Sequence, residues 1–105
     1  MRHELAKLSG LRIPVEAVVS GFDEVRLPQG MVSRVLLVQV RHGAGHLLTD
    51  HVWIMPAGDF KKKKLKSGER VRFTALVRQY RKRLRDRVAI DYGLVEPKKV
   101  EKAQP

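Results

Sequence analysis

The stretch Arg70 to Tyr80, RVRFTALVRQY, limits the possible folds more than any other part of the chain. Val71, Phe73, Ala75 and Val77 recur at every second position, while Arg70, Arg72, Thr74, Arg78 and Tyr80 take the opposite parity. Period two sends alternate side chains to opposite faces of a strand. The pattern therefore predicts a β-strand with one apolar and one largely cationic face, interrupted at Leu76.

Other segments repeat this logic. IPVEAVVSG, Ile13 to Gly21, predicts a first strand, with Pro14 at its start where a missing N–H does least harm. Phe22 to Val32 reads as a loop containing the turn signal Pro28-Gln29-Gly30. SRVLLVQVR, Ser33 to Arg41, predicts a central second strand, and His42 to His46 a short hairpin connection. LLTDHVWIM, Leu47 to Met55, predicts a third strand, ended by Pro56-Ala57-Gly58. Asp59 to Lys66 suits a short helix capped by Asp59, with Phe60 and Leu65 turned inward. After the Arg70 strand, Arg81 to Asp86 reads as a charged connection. Arg87 to Leu94 is a last strand with Val88, Ile90, Tyr92 and Leu94 on its apolar face. Residues 1–11 form an arm with at most one helical turn, residues 12–95 the folded unit, and residues 96–105 a flexible polar tail.

A chain of 105 residues fits one domain with a modest core. It has no cysteine, which excludes disulfides and thiolate metal sites and fits a reducing compartment. No apolar run approaches the length of a membrane span and no signal-peptide core is visible, so a soluble cytoplasmic protein without a membrane partner is expected.

Charge points to the partner. Lys and Arg number 22 against 11 acids, a formal +11. The excess is uneven, with 6 basic and 5 acidic residues in 1–52 but 16 and 6 in 53–105. Such a concentration attracts polyanions, although charge runs are also common on solvated surfaces.

Three strands, a short helix and two more strands, with LKSGERVRFTALV resembling the turn and fourth strand of many such barrels, make residues 12 to 95 similar to the OB-fold. The resemblance implies an all-β, five-stranded Greek-key barrel with a short helix or helical loop between strands three and four. It stays at the level of the fold superfamily, and an SH3-like barrel is an open alternative. It also implies a ligand face across strands two and three, bordered by the loops joining strands one to two and four to five.

On that basis the candidate nucleic-acid-binding residues fall in three groups. The four-to-five connection supplies Tyr80, Arg81, Lys82, Arg83, Arg85 and Arg87, combining phosphate-neutralising cations with an aromatic face for a base. Arg34, Arg41, His51 and Trp53 share strands two and three, where Trp53 reads either as a stacking platform or as core. Lys61, Lys62, Lys63 and Lys64 act as point charges suited to phosphate, and Arg72 and Arg78 extend the cationic face of the fourth strand. Asp23 and Glu24 interrupt the basic character and would repel phosphate.

Catalysis is not expected. No serine sits beside a base, the glycines form neither a P-loop nor a dinucleotide fingerprint, and Asp50, Asp86 and Asp91 are dispersed. No cofactor is implied, and His42, His46, Asp50 and His51 lack a strong metal motif. The expected function is non-catalytic binding of single-stranded nucleic acid, with DNA or RNA left open. The alternative is an accessory protein-interaction barrel that docks on an acidic partner, and self-association is compatible with either.

Overall fold

The computed structural model describes residues 2–103. Its elements are α1 (His3–Ala6), β1 (Arg12–Leu27), β2 (Gly30–His42), β3 (Leu47–Ile54), α2 (Gly58–Lys62), β4 (Arg70–Arg83) and β5 (Val88–Lys102). The strands form one antiparallel sheet in the order β3-β2-β1-β4-β5. The sheet is not closed, since among the described residues no ladder joins the outer edges of β3 and β5.

β1 organises the sheet because it pairs on both sides. Arg12 to Val18 ladders with β4, and Val15 to Leu27 ladders with β2. Register shifts near Glu16 and Ser20 mark bulges, which bend a strand and increase its twist. Gln39 of β2 sits at one of them with φ +50. The curved sheet encloses Val15, Val19, Val35, Leu37, Val52 and Val77, all at most 1% exposed. Phe60 of α2 is fully buried and meets Phe73 edge-to-face at 5.3 Å between ring centroids. Burying a side chain of this size is worth about 1.5–3 kcal/mol. Leu65 joins the same core as expected, whereas Asp59 lies in the first turn of α2 and does not cap it.

Four expectations change. Phe22 to Val32 is not a loop: β1 runs to Leu27, β2 starts at Gly30, and only Pro28 and Gln29 turn. Cross-strand pairing of Asp23 with Arg34 and of Val25 with Val32 makes this polar segment a ribbon. The first half of the charged connection after Tyr80, Arg81 to Arg83, is also strand, with β4 and β5 paired out to Arg83 and Val88. The parity of Val88, Ile90, Tyr92 and Leu94 holds, but their burial fails for the first two, while Tyr92 packs partly buried against the core. Leu94 is 2% exposed, while Ile90 and Val88 are 40% and 54% exposed. The ladder between β1 and β4 ends at Arg12 and Leu76, so this part of the hairpin extends past its sheet neighbour as an arm.

The fourth change concerns the expected tail. β5 continues to Lys102, pairing Glu101 with Arg72 and Lys102 with Val71. Val100 and Ala103 are buried, and Ala103 N–H donates to the Arg70 carbonyl at 2.9 Å. Two register shifts accompany positive φ at Glu96 and Lys99, and these bulges break the period-two pattern that would reveal a strand. The fate of Gln104 and Pro105 lies outside the described residues.

α1 packs against β3, β4 and β5 and inserts the fully buried Leu5. The N-terminal segment thus fills one part of the gap between the free edges of β3 and β5.

Candidate nucleic-acid interface

On the outward face of β2 and β3, Trp53 stands opposite Leu36 and is 37% exposed. Its parity follows from Val52 and Ile54, which point into the core. The Arg34 guanidinium lies 3.8 Å from the centroid of the Trp53 ring. Asp23, directly opposite on β1, receives hydrogen bonds from Arg34 Nε at 2.7 Å and Nη2 at 3.0 Å. Hydrogen bonding by Arg34 holds the Asp23 carboxyl below its ordinary pKa, and the same contact raises that of the guanidinium. Asp23 therefore holds Arg34 over the indole.

Around the edge of β3 lies a shallow cleft of about 330 Å³ between β3 and β5. Trp53 and Met55 line it from β3, Arg78 and Tyr80 from β4, Gly93 from β5, and Arg2 from the N-terminal segment. The Tyr80 ring lies over Gly93, where a Cβ would stand 3.4 Å from Tyr80 Cε1, in van der Waals contact. Arg2 Nη1 donates to the Tyr92 carbonyl at 2.8 Å, and its backbone N–H donates to Asp91 Oδ1 at 3.0 Å. Asp91 is only 6% exposed. Burial disfavours its charged form, but hydrogen bonds from the Tyr92 and Arg2 N–H groups and the nearby Arg2 cation outweigh this and lower its pKa. Arg78 is paired with Glu96 at 3.1 Å.

The β4–β5 arm leads away from this cleft. Among the described residues, Arg81, Arg83, Arg85 and Arg87 are exposed and have no acidic partner within ion-pair distance, while Lys82 lies 3.9 Å from Asp91. Arg81 and Arg83 oppose Ile90 and Val88 across the ladder, so they project from the other face than Tyr80 and Lys82.

The remaining sequence candidates are not gathered at the cleft. His51 is exposed on β3, two residues from Trp53 and opposite Val38. Arg41 and Arg72 flank Glu16 from the two neighbours of β1. Arg41 also lines a separate concavity with Gln39 and Arg70, and Arg72 pairs with Glu101 at 2.8 Å. Lys61 to Lys64 are exposed on and just after α2. A groove shared by Met55 and Arg78 reaches Gly58 and Asp59 at the start of that helix, but the four lysines do not line it.

Sequence reasoning missed Arg2, Leu36 and the positioning role of Asp23. Arg2 had no signal, because its hydrogen bonds span 89 and 90 residues. Asp23 and Arg34 would have been visible as a cross-strand pair had Pro28-Gln29 been taken as a two-residue turn. His42 and His46 do approach edge-to-face at 5.8 Å, yet His46 Nε2 lies 3.5 Å from Glu4. Among the described residues no three His, Cys, Asp or Glu side chains converge as metal ligands, and no helix is long and apolar enough to cross a membrane.

No known family model matches this chain, and no curated protein resembles it at a significant level.

Proposed function

We propose that this protein is a non-catalytic module that binds single-stranded nucleic acid over the outward face of β2 and β3 and the adjoining β3–β5 cleft. The proposal includes an OB-type barrel. The strand order places β3 and β5 at the two ends of the sheet, and the cleft between their edges is where such a barrel would close.

The observation that carries the reading is the meeting of Trp53 and Tyr80 with Arg2 and Arg78 around one cleft, with Arg34 against the same Trp53 ring. Aromatic faces take unpaired bases, and cations take the phosphates between them. Leu36 adds an apolar shelf beside Trp53, while the exposed arginines of the β4–β5 arm extend the positive field beyond the cleft. Arg41, Arg72 and Lys61 to Lys64 contribute to the general field and not to the base-contacting centre.

Trp53 is the only tryptophan, so its fluorescence reports on the site. Oligo-dT or oligo-U should quench it, whereas heparin, which carries charge without bases, should not. Binding should also weaken steeply with salt, because each neutralised phosphate releases counterions. Equal quenching by heparin would remove base stacking from the mechanism, and a flat salt dependence would remove phosphate attraction.

A further inference from the structure

The hydrogen bonds of Arg34 leave a specific part of its guanidinium free. Asp23 occupies Nε–H and one N–H of Nη2 in a side-on approach. Of the five guanidinium donors, three have no acceptor among the described residues, on Nη1 and on the outer side of Nη2. These form the end-on fork of the group. Its Cζ lies 3.8 Å from the Trp53 ring centroid, and two bonds to Asp23 fix its rotation.

A fork held this way differs from a flexible phosphate contact. Two parallel N–H donors match two neighbouring acceptors, and guanine presents such a pair at O6 and N7. Adenine offers N7 beside a donor, and thymine offers O4 beside a methyl group. The Asp23 carboxylate, immediately behind the fork, also disfavours a phosphate at this position more than a neutral base edge. We propose that Arg34 is a guanine-reading residue and Asp23 its positioning residue, so that the protein prefers single strands carrying guanine at one position. This inference rests on the single-strand reading above and adds base selectivity to it.

The test uses the full chain and fluorescently labelled oligo-dT in which one central base is T, G, 7-deazaguanine, A or C, followed by anisotropy. The guanine probe should bind about tenfold more tightly than the all-T probe, in line with one good bidentate contact. Replacing N7 with carbon in the 7-deazaguanine probe should remove most of that advantage. The cytosine arm is needed because unpaired cytosine also exposes adjacent acceptors, and cytosine binding as tightly as guanine would overturn the assignment.

Arg34→Lys keeps the charge but loses the planar fork, so the ratio of guanine to all-T affinity should fall to about one. Asp23→Ala should lower the same ratio while strengthening binding to all probes, since it removes a negative charge and frees Arg34 for phosphate. A purely structural role for Asp23 would leave the ratio unchanged. Measurable but equal binding of all five probes to the parent protein overturns guanine reading and leaves strand binding intact. A guanine advantage that survives Arg34→Lys also overturns it. Absence of binding to every probe overturns the underlying function together with this inference.

Discussion

The Arg2 backbone N–H donates to the Asp91 carboxylate at 3.0 Å, joining the first residues of the chain to its last strand. Asp91 also accepts from Tyr92 N–H at 2.8 Å, and the Tyr80 hydroxyl lies 3.5 Å from its other oxygen. One buried carboxylate thus ties the N-terminal segment, the base of the β4–β5 arm and one wall of the cleft.

Removing that carboxylate leaves two N–H donors without their acceptor. Asp91→Ala should destabilise the fold by about 1–3 kcal/mol, the usual cost of leaving buried polar groups unsatisfied. The expected signature is a lower thermal midpoint. A wild-type midpoint in the variant would mean that solvent replaces Asp91 at no cost.

The pH dependence has a definite sign. The folded pKa of Asp91 is lowered, so the unfolded chain binds its proton more readily. Its contribution to stability is complete above the ordinary aspartate value of about 3.9 and is lost as pH falls through the lower folded value. Urea titrations between pH 6 and 3 should show the parent losing stability, with a shallower decline in Asp91→Asn. Parallel curves for the two proteins would exclude Asp91 as a source of the acid sensitivity.

The arm should control affinity without controlling folding. Arg81, Arg83, Arg85 and Arg87 are exposed and lack ion-pair partners among the described residues, so replacing all four by Ala removes little native-state energy. Every phosphate left without its cation should reduce the log–log salt slope by about 0.7 for a single strand. The four-fold variant should bind oligo-dT more weakly, with a flatter slope and an unchanged melting curve. An unchanged slope would place the strand elsewhere on the surface.

Trp53 separates stacking from charge. Trp53→Ala should weaken oligo-dT binding by about 1–3 kcal/mol, the usual effect of removing one base–aromatic stack. Trp53→Phe should recover most of it, since a smaller aromatic face remains. Both can be read by anisotropy, and equal binding by Trp53→Ala would reduce the aromatic cleft to scaffold.

The sequence made some elements legible and concealed others for identifiable reasons. Val71, Phe73, Ala75 and Val77 alternate without a bulge, and they occupy the buried face of β4 as the pattern predicts. The outward parity of Trp53 follows from Val52 and Ile54 in the same way. Local alternation reports the direction of a side chain, but its burial also depends on whether another strand covers it. Ile90 and Val88 therefore have the expected parity and the wrong environment. In the site, the outward parity of Arg34 and Trp53 was legible, whereas the Asp23–Arg34 pair was hidden by the unread two-residue turn at Pro28-Gln29 and the reach of Arg2 to Asp91 and Tyr92 spans almost the whole chain.

The end of β5 provides a final test, because period two fails there through backbone conformation. Lys99 has φ +56, in the left-handed region that glycine enters at least cost and β-branched residues at most. It lies between Lys98, which pairs with Thr74, and Val100, which is 5% exposed. If this bulge holds β5 in register, Lys99→Gly should relieve the left-handed cost, about 1–2 kcal/mol before glycine's greater unfolded-state entropy is deducted, and raise the melting temperature slightly. Lys99→Val should lower it clearly. A frayed segment would respond to neither, because a chain free to change φ in the native state has nothing to gain from glycine or lose to valine. Two melting curves indistinguishable from the parent would detach everything after Leu94 from the folded unit.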